Sequence, residues 1–249
     1  MSDDLTEFTP QQIEQMKRAA DEMTEAFARA AQLGPDLAAR DWLVELPDYD
    51  AEGVVIDKMV ITEAAANIDK LKAAFNPQRT DRSVDAGTYT RLTVDGQVWM
   101  TDTPAEVHDH MVVDEQLERW ERPTLLVAGL GIGLVVHRAI TWHATERIDV
   151  VEIDPRVIRA VGPHYQQLAD DHGVELNIHE SDVHDWRAPR GGAWDVAWFD
   201  IWPTINDDDM LEVRRLRSRF RKRVGWSGAW AQDERRAMRK RIASGRWAY

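Results

Sequence analysis

The sequence predicts an α/β fold: a Rossmann-like, doubly wound, mostly parallel sheet with helices on both faces, preceded by a helical segment and a small β-hairpin region. Three observations predict it. The apolar run Leu125 to Ala128 leads straight into Gly129-Leu130-Gly131-Ile132-Gly133, and Leu134-Val135-Val136 then opens a helix. This is a buried parallel strand ending in a glycine loop. A second run, Ile148-Asp149-Val150-Val151, ends in Glu152-Ile153-Asp154-Pro155. From there strands and helices alternate, the pattern of right-handed crossovers between parallel strands.

The elements follow in order. Thr9-Pro10 caps a helix, with Pro at its first position, and Ile13, Met16, Ala20, Met23 and Phe27 recur at helical spacing before Gly34-Pro35 ends it. Pro35 to Leu46 is expected to hold a second, short helix. Val54 to Ile61 reads as a strand, and Thr62 caps a helix through Phe75, stopped by Asn76-Pro77. Gly87 to Val94, Asp95-Gly96 and Gln97 to Thr101 form a hairpin with a type I′ turn signal. Thr103-Pro104 opens a helix carrying Val107, Met111 and Leu117.

The core is then expected to run through six elements after its first strand. They are a helix over 134–142, strands over 148–152 and 174–179, a helix over 155–169 between them, a strand over 194–199, and a helix over 208–223. A fifth strand, 224–230, and a last helix, 233–243, complete it. The organisation is thus 1–86 as the helical segment, 87–122 as hairpin and helix, and 123–249 as the nucleoside-binding core.

Composition sets bounds. A chain of 249 residues suits one large domain or a domain with an appendage. There is no cysteine, so no disulfide and no thiolate metal site; no metal is expected. No apolar run reaches about 18 residues, and the N-terminus is acidic and polar, so a soluble cytoplasmic protein is expected. The net charge of −13 is uneven: residues 211–249 hold 13 Lys/Arg against 3 Asp/Glu. Such a basic end either packs on its own acidic body or meets an anionic partner such as RNA or DNA.

Glycines at the end of the first strand and a carboxylate at the end of the second make a nucleoside site at the switch point of such a sheet. Gly129, Gly131 and Gly133 allow close backbone approach, and Glu152 accepts from ribose hydroxyls. A tight turn that binds nothing is the plain alternative. Asp182 ends the third strand, where it could accept from an adenine amino group or serve as a helix N-cap. Asp200 ends the fourth strand, where it either faces the reacting centre, as a general base or as the holder of a substrate ammonium, or serves as a strand-end cap or turn residue before Pro203. Trp202 beside it either walls the pocket or belongs to the core. His108 and His110 are two apart on one helix, so they do not share a face and make no metal pair; exposed or capped histidines are the expectation. Asn206-Asp207-Asp208-Asp209 reads as a helix cap rather than a Mg²⁺ site.

The loop departs from the dinucleotide fingerprint G-x-G-x-x-G, which needs glycine or alanine where Leu134 stands. G-x-G-x-G followed by an acid at the end of strand two resembles the S-adenosylmethionine loop of class I methyltransferases. The hairpin extends the resemblance to the spermidine synthase-like branch. That branch's hairpin motif reads L-D-G-x-x-Q-x-T-E-x-D-E-x-x-Y-x-E-M. Here Asp95-Gly96, Thr101 and Met111 match in register, as do Val151-Glu152-Ile153-Asp154 and Ser181-Asp182 in the core. The resemblance covers about residues 87–203. It implies S-adenosylmethionine as cosubstrate, with His108 at the substrate-contacting tyrosine position.

His110 stands where the branch has a glutamate, and Asp200-Ile201-Trp202-Pro203 carries one acid where the branch carries two, in D-x-x-D-P. These departures argue against aminopropyl transfer to putrescine. The leading expectation is a methyltransferase with an unidentified, small-molecule acceptor. An aminopropyltransferase is the alternative. A nucleic-acid-binding module using the basic end is another, and a homodimer is left open.

Overall fold

The computed structural model describes residues 42–75, 84–202 and 209–230. The expected helix after Thr9-Pro10, the stop at Asn76-Pro77, the Asn206 to Asp208 cap and the last helix lie outside these residues, as does the basic end beyond residue 230.

Two sheets carry the chain. The first is antiparallel, in the order β1 (Tyr49–Ala51), β2 (Val54–Ile61), β3 (Gly87–Val94), β4 (Gln97–Thr101), with helix α1 (Glu63–Phe75) between β2 and β3. The hairpin of β3 and β4 turns at Asp95 and Gly96, whose φ values of 50° and 79° are those of the expected type I′ turn. The boundary expected at residue 86 falls between β2 and β3, two paired strands of one sheet. Residues 42–46 are not the expected short helix. They run extended, with Trp42, Val44 and Leu46 buried and Leu43 and Glu45 exposed. That alternation of period two puts three large apolar side chains into the core, which a helix could not do from these positions.

The second sheet is parallel throughout. It runs β7 (Glu175–Glu180), β6 (Arg147–Glu152), β5 (Thr124–Ala128), β8 (Trp194–Phe199), β9 (Val224–Ala229). Counting within this sheet, the order is 3-2-1-4-5, the doubly wound arrangement, with its switch point at β5. Helices α2 (Pro104–Leu117), α3 (Leu134–Thr141), α4 (Pro155–His172) and α5 (Asp209–Phe220) flank it. Consecutive residues of β8 show that both faces are covered, since neighbours on a strand point to opposite sides. The Trp198 ring lies 5.7 Å from His110 of α2, and Phe199 lies 5.8 Å from Phe220 of α5. Residues Leu125 to Ala128 of β5 are at most 2 % exposed, as a central strand requires.

The two hairpin turns dock on α4. Arg156 pairs with both Asp95 and Asp154 and donates to the Glu52 carbonyl, and Arg159 pairs with Glu52. This clamp holds the small sheet, and with it β4, against the carboxyl end of the parallel sheet.

The basic stretch of α5 and the turn after it divides. Arg217 donates to Ser227 Oγ, Arg219 to the carbonyls of Val183 and Trp186, and Arg223 to those of Pro189 and Gly192. Arg214, Arg215, Arg221 and Lys222 are exposed. No described helix is long and apolar enough to cross a membrane.

Candidate functional site

A cavity of about 490 Å³ opens where the two sheets meet. It lies beyond the carboxyl ends of β5, β6, β7 and β8, where the switch-point rule puts a ligand, and its size suits a nucleoside-sized molecule. β4 contributes Val98 to Thr101 to its lining.

Of the residues expected to bind a nucleoside, Gly129, Gly131, Glu152 and Asp182 line this cavity, with Asp200 and Trp202 beside them. Gly133 does not. It starts α3, and a Cβ there would stand 2.1 Å from the Tyr165 ring, so its lack of a side chain serves the packing of α3 on α4. Gly131 meets the hairpin: a Cβ would stand 2.3 Å from Met100 Sδ, and that sulfur accepts from the Ile132 amide at 3.4 Å.

Glu152 is 5 % exposed and holds the glycine loop in place. Its Oε2 accepts from the Leu130 amide at 2.7 Å and its Oε1 from the Asp154 amide at 2.8 Å. Burial raises its pKa, opposed by those amide hydrogen bonds. Each oxygen keeps a second lone pair for a ligand. Glu152→Ala is therefore expected to do more than remove a ligand contact. It leaves two amides without acceptors, at roughly 1–3 kcal/mol each. Urea unfolding is expected to show that loss, while Glu152→Gln, which keeps one acceptor oxygen, loses less. Equal stability of Glu152→Ala and the wild type would refute the anchoring role.

Asp182 caps the turn after β7, its Oδ1 accepting from the His184 amide at 2.8 Å. Trp202 is 7 % exposed and donates from Nε1 to Glu212 Oε2.

The histidine expectations are corrected. His108, set at the substrate by the resemblance alone, is exposed, as the residue reading expected, and takes no part in the cavity lining. His110, expected to be exposed or merely capped, is fully buried. Its Nε2 lies 2.8 Å from Asp200 Oδ2 and its Nδ1 lies 2.7 Å from the Glu106 carbonyl. Helical geometry explains the exchange, because residues two apart point to different sides and only His110 turns to β8.

The expectation of a single acid near the acceptor is also corrected. Glu106 of α2 and Glu212 of α5 line the same cavity as Asp200. Neither falls in the strand-four motif, so spacing around Asp200 could not reveal them. Glu212 Oε1 lies 2.8 Å from His184 Nε2. The described lining holds five carboxylate side chains and no Lys or Arg.

No protein-family model matches the chain. A polyamine aminopropyltransferase from Prochlorococcus marinus is 29 % identical over 114 residues, covering 44 % of this chain and 40 % of that protein. The chain thus spans well under half the length of this relative. Among solved structures, an RNA methyltransferase from Salinibacter ruber in complex with S-adenosyl-L-homocysteine is 22 % identical, covers 46 % of this chain and 68 % of its own, and gives a TM-score of 0.33. A dimethyladenosine transferase from Plasmodium falciparum is 18 % identical, covers 45 % and 35 %, and gives 0.32. Scores of this size add nothing to the topology described above.

Proposed function

We propose that this chain is an S-adenosylmethionine-dependent methyltransferase acting on a small cationic amine. The observation that carries the reading is the lining of the cavity. It joins the glycine loop and Glu152 to Asp200, and its charges among the described residues are Glu106, Glu152, Asp182, Asp200 and Glu212. Carboxylates lining a cleft with low-dielectric walls attract a positive ligand. A sulfonium nucleoside and a protonated amine are both positive.

Gly129 and Gly131 admit the nucleoside close to the backbone. Glu152 holds the ribose and Asp182 the adenine amino group. When bound, S-adenosylmethionine supplies a methyl carbon whose C–S bond breaks, its electron pair staying on sulfur, as the C–N bond forms. The residues of the chain contribute positioning and charge. In-line displacement gains most from a nucleophile held at the right angle. Asp200 Oδ1 makes no hydrogen bond to a described residue. It accepts an N–H of the ammonium, receives or relays the proton that must leave before attack, and aims the lone pair this frees. Trp202 walls the acceptor side.

A second reading, aminopropyl transfer from decarboxylated S-adenosylmethionine, is favoured by a specific observation. The Leu130 and Ile132 amides of the loop already have acceptors within the chain, and the described lining has no cation for a ligand carboxylate. The identity with a polyamine aminopropyltransferase supports the same reading.

One experiment separates them. The protein is incubated with either nucleoside and a panel of amines that includes putrescine, and products are read by mass spectrometry. A methylated amine with adenosylhomocysteine is expected. An aminopropylated amine with methylthioadenosine hands the site to the second reading. No calorimetric binding of either nucleoside sinks both. Asp200→Asn is expected to slow turnover by about 10²–10⁴-fold, the usual worth of a positioned acid or base, with nucleoside affinity little changed.

A further inference from the structure

We propose that His110 is held as a doubly protonated imidazolium and is the positioning residue for Asp200. Both ring nitrogens face acceptors. Nδ1 lies 2.7 Å from the Glu106 carbonyl oxygen, one turn back on α2. A carbonyl can only accept, so Nδ1 carries a hydrogen. Nε2 lies 2.8 Å from Asp200 Oδ2. In a neutral ring with hydrogen on Nδ1, Nε2 would present a lone pair to a carboxylate lone pair. At that separation the contact needs a proton, and it sits either on the ring or on Asp200.

The surroundings place it on the ring. On its own helix His110 faces the Glu106 carbonyl and the Glu106 carboxylate charge; from just past the end of β8 it faces Asp200. The small void beside the ring is otherwise lined by uncharged residues, among them Met100, Val127, Leu134 and Trp198. Among the described residues, only anions thus bear on the imidazole. Asp200, by contrast, also borders the large cavity, where solvent supports its ionised form. Burial alone opposes the charge on the ring, but the hydrogen bond and charge of Asp200, with Glu106 adding, push the His110 pKa up to about 9.

The consequence is geometric. A donor on Nε2 fixes Asp200 Oδ2 and keeps the group a carboxylate, so Oδ1 reaches the cavity as an acceptor rather than a hydroxyl donor. The use of that acceptor rests on the transfer reading above; the protonation state does not.

The test is a long-range ¹H–¹⁵N correlation spectrum of the full chain labelled at histidine, with the His110 signals identified by their loss in His110→Gln. At pH 7.5 both ring nitrogens are expected to carry protons, with a midpoint near 9 against an ordinary 6.5. In Asp200→Asn the same ring is expected to be neutral at pH 7.5, since a buried cation has lost its counter-charge. A neutral His110 in the wild type, or an imidazolium that survives Asp200→Asn, overturns the proposal. Should Asp200→Asn not fold, the wild-type spectrum decides alone. The measurement needs no substrate, so a failure to find transfer activity leaves it intact.

Discussion

Gly129→Ala is expected to destabilise the core by more than about 3 kcal/mol, enough to leave much of the chain unfolded. The residue has φ +90°, and a Cβ there would stand 1.9 Å from the backbone oxygen of Asp200 and 2.8 Å from its carbonyl carbon. Both obstacles are main chain, so no side chain can swing aside. Relief requires β5 and β8 to part at their carboxyl ends. That breaks the bond from the Asp200 amide to the Ala128 carbonyl, now 2.8 Å. A control isolates the steric part. Gly96 has φ +79°, but a methyl group added there would meet nothing within 4 Å, so Gly96→Ala carries only the backbone penalty, about 1 kcal/mol. Urea midpoints of the two variants measure the difference. Equal losses would mean that the approach of Asp200 to the loop imposes no constraint.

That close approach also explains which part of the site was legible in the sequence. Strand ends are readable because a central parallel strand must be apolar on both faces, and the first polar or glycine residue marks its end. Gly129 follows an all-apolar run, Glu152 and Asp200 follow runs broken by one aspartate each, and Asp182 follows the half-polar edge strand β7; all four border the cavity. The Asp95-Gly96 turn was legible for a similar reason, since its residues suit positive φ. The partner turn, Glu52-Gly53, was not. Glu52 takes φ 54° with no asparagine or aspartate signal, and β1 has only three residues, none of them fully buried. What holds that turn is tertiary, the contacts of Glu52 with Arg156 and Arg159.

The acceptor side of the site was hidden by the same kind of distance. His110 and Asp200 are 90 residues apart, and neither flanking sequence marks the other. On α2 the choice between His108 and His110 depends on helix rotation. The resemblance favoured His108 by motif position, but packing against β8 selects His110. Glu106 and Glu212 come from helices on either side of the sheet, which no local spacing connects. Gly133 was read as part of the ligand loop because three spaced glycines look alike in sequence. Tyr165, which it accommodates, is 32 positions away in a different helix.

The stability of the chain is expected to fall by about 2 kcal/mol between pH 7 and 9.5, and Asp200→Asn is expected to lack that fall. The sign follows from His110. Its folded pKa, raised to about 9, stands above the ordinary 6.5. A group shifted upward binds its proton more tightly in the folded state. Its contribution is therefore complete below about 6.5 and is lost as pH rises through about 9. The other shifted histidines, the lowered carboxylates and Tyr165 leave this window clear. His137 and His164 are lowered, chiefly by burial, so they gain their protons only below the ordinary histidine range. Asp57, Asp114 and Asp154 are lowered carboxylates that stay ionised throughout, and Tyr165 is raised above the ordinary tyrosine range by burial. Urea unfolding at several pH values reads the slope directly. In Asp200→Asn the buried ring has no counter-charge, so the folded state no longer holds the extra proton and the dependence flattens. A wild-type curve that is level from pH 7 to 9.5 would mean that His110 and Asp200 meet without a bound proton to lose, and the orientation of Asp200 Oδ1 toward the cavity would need another cause.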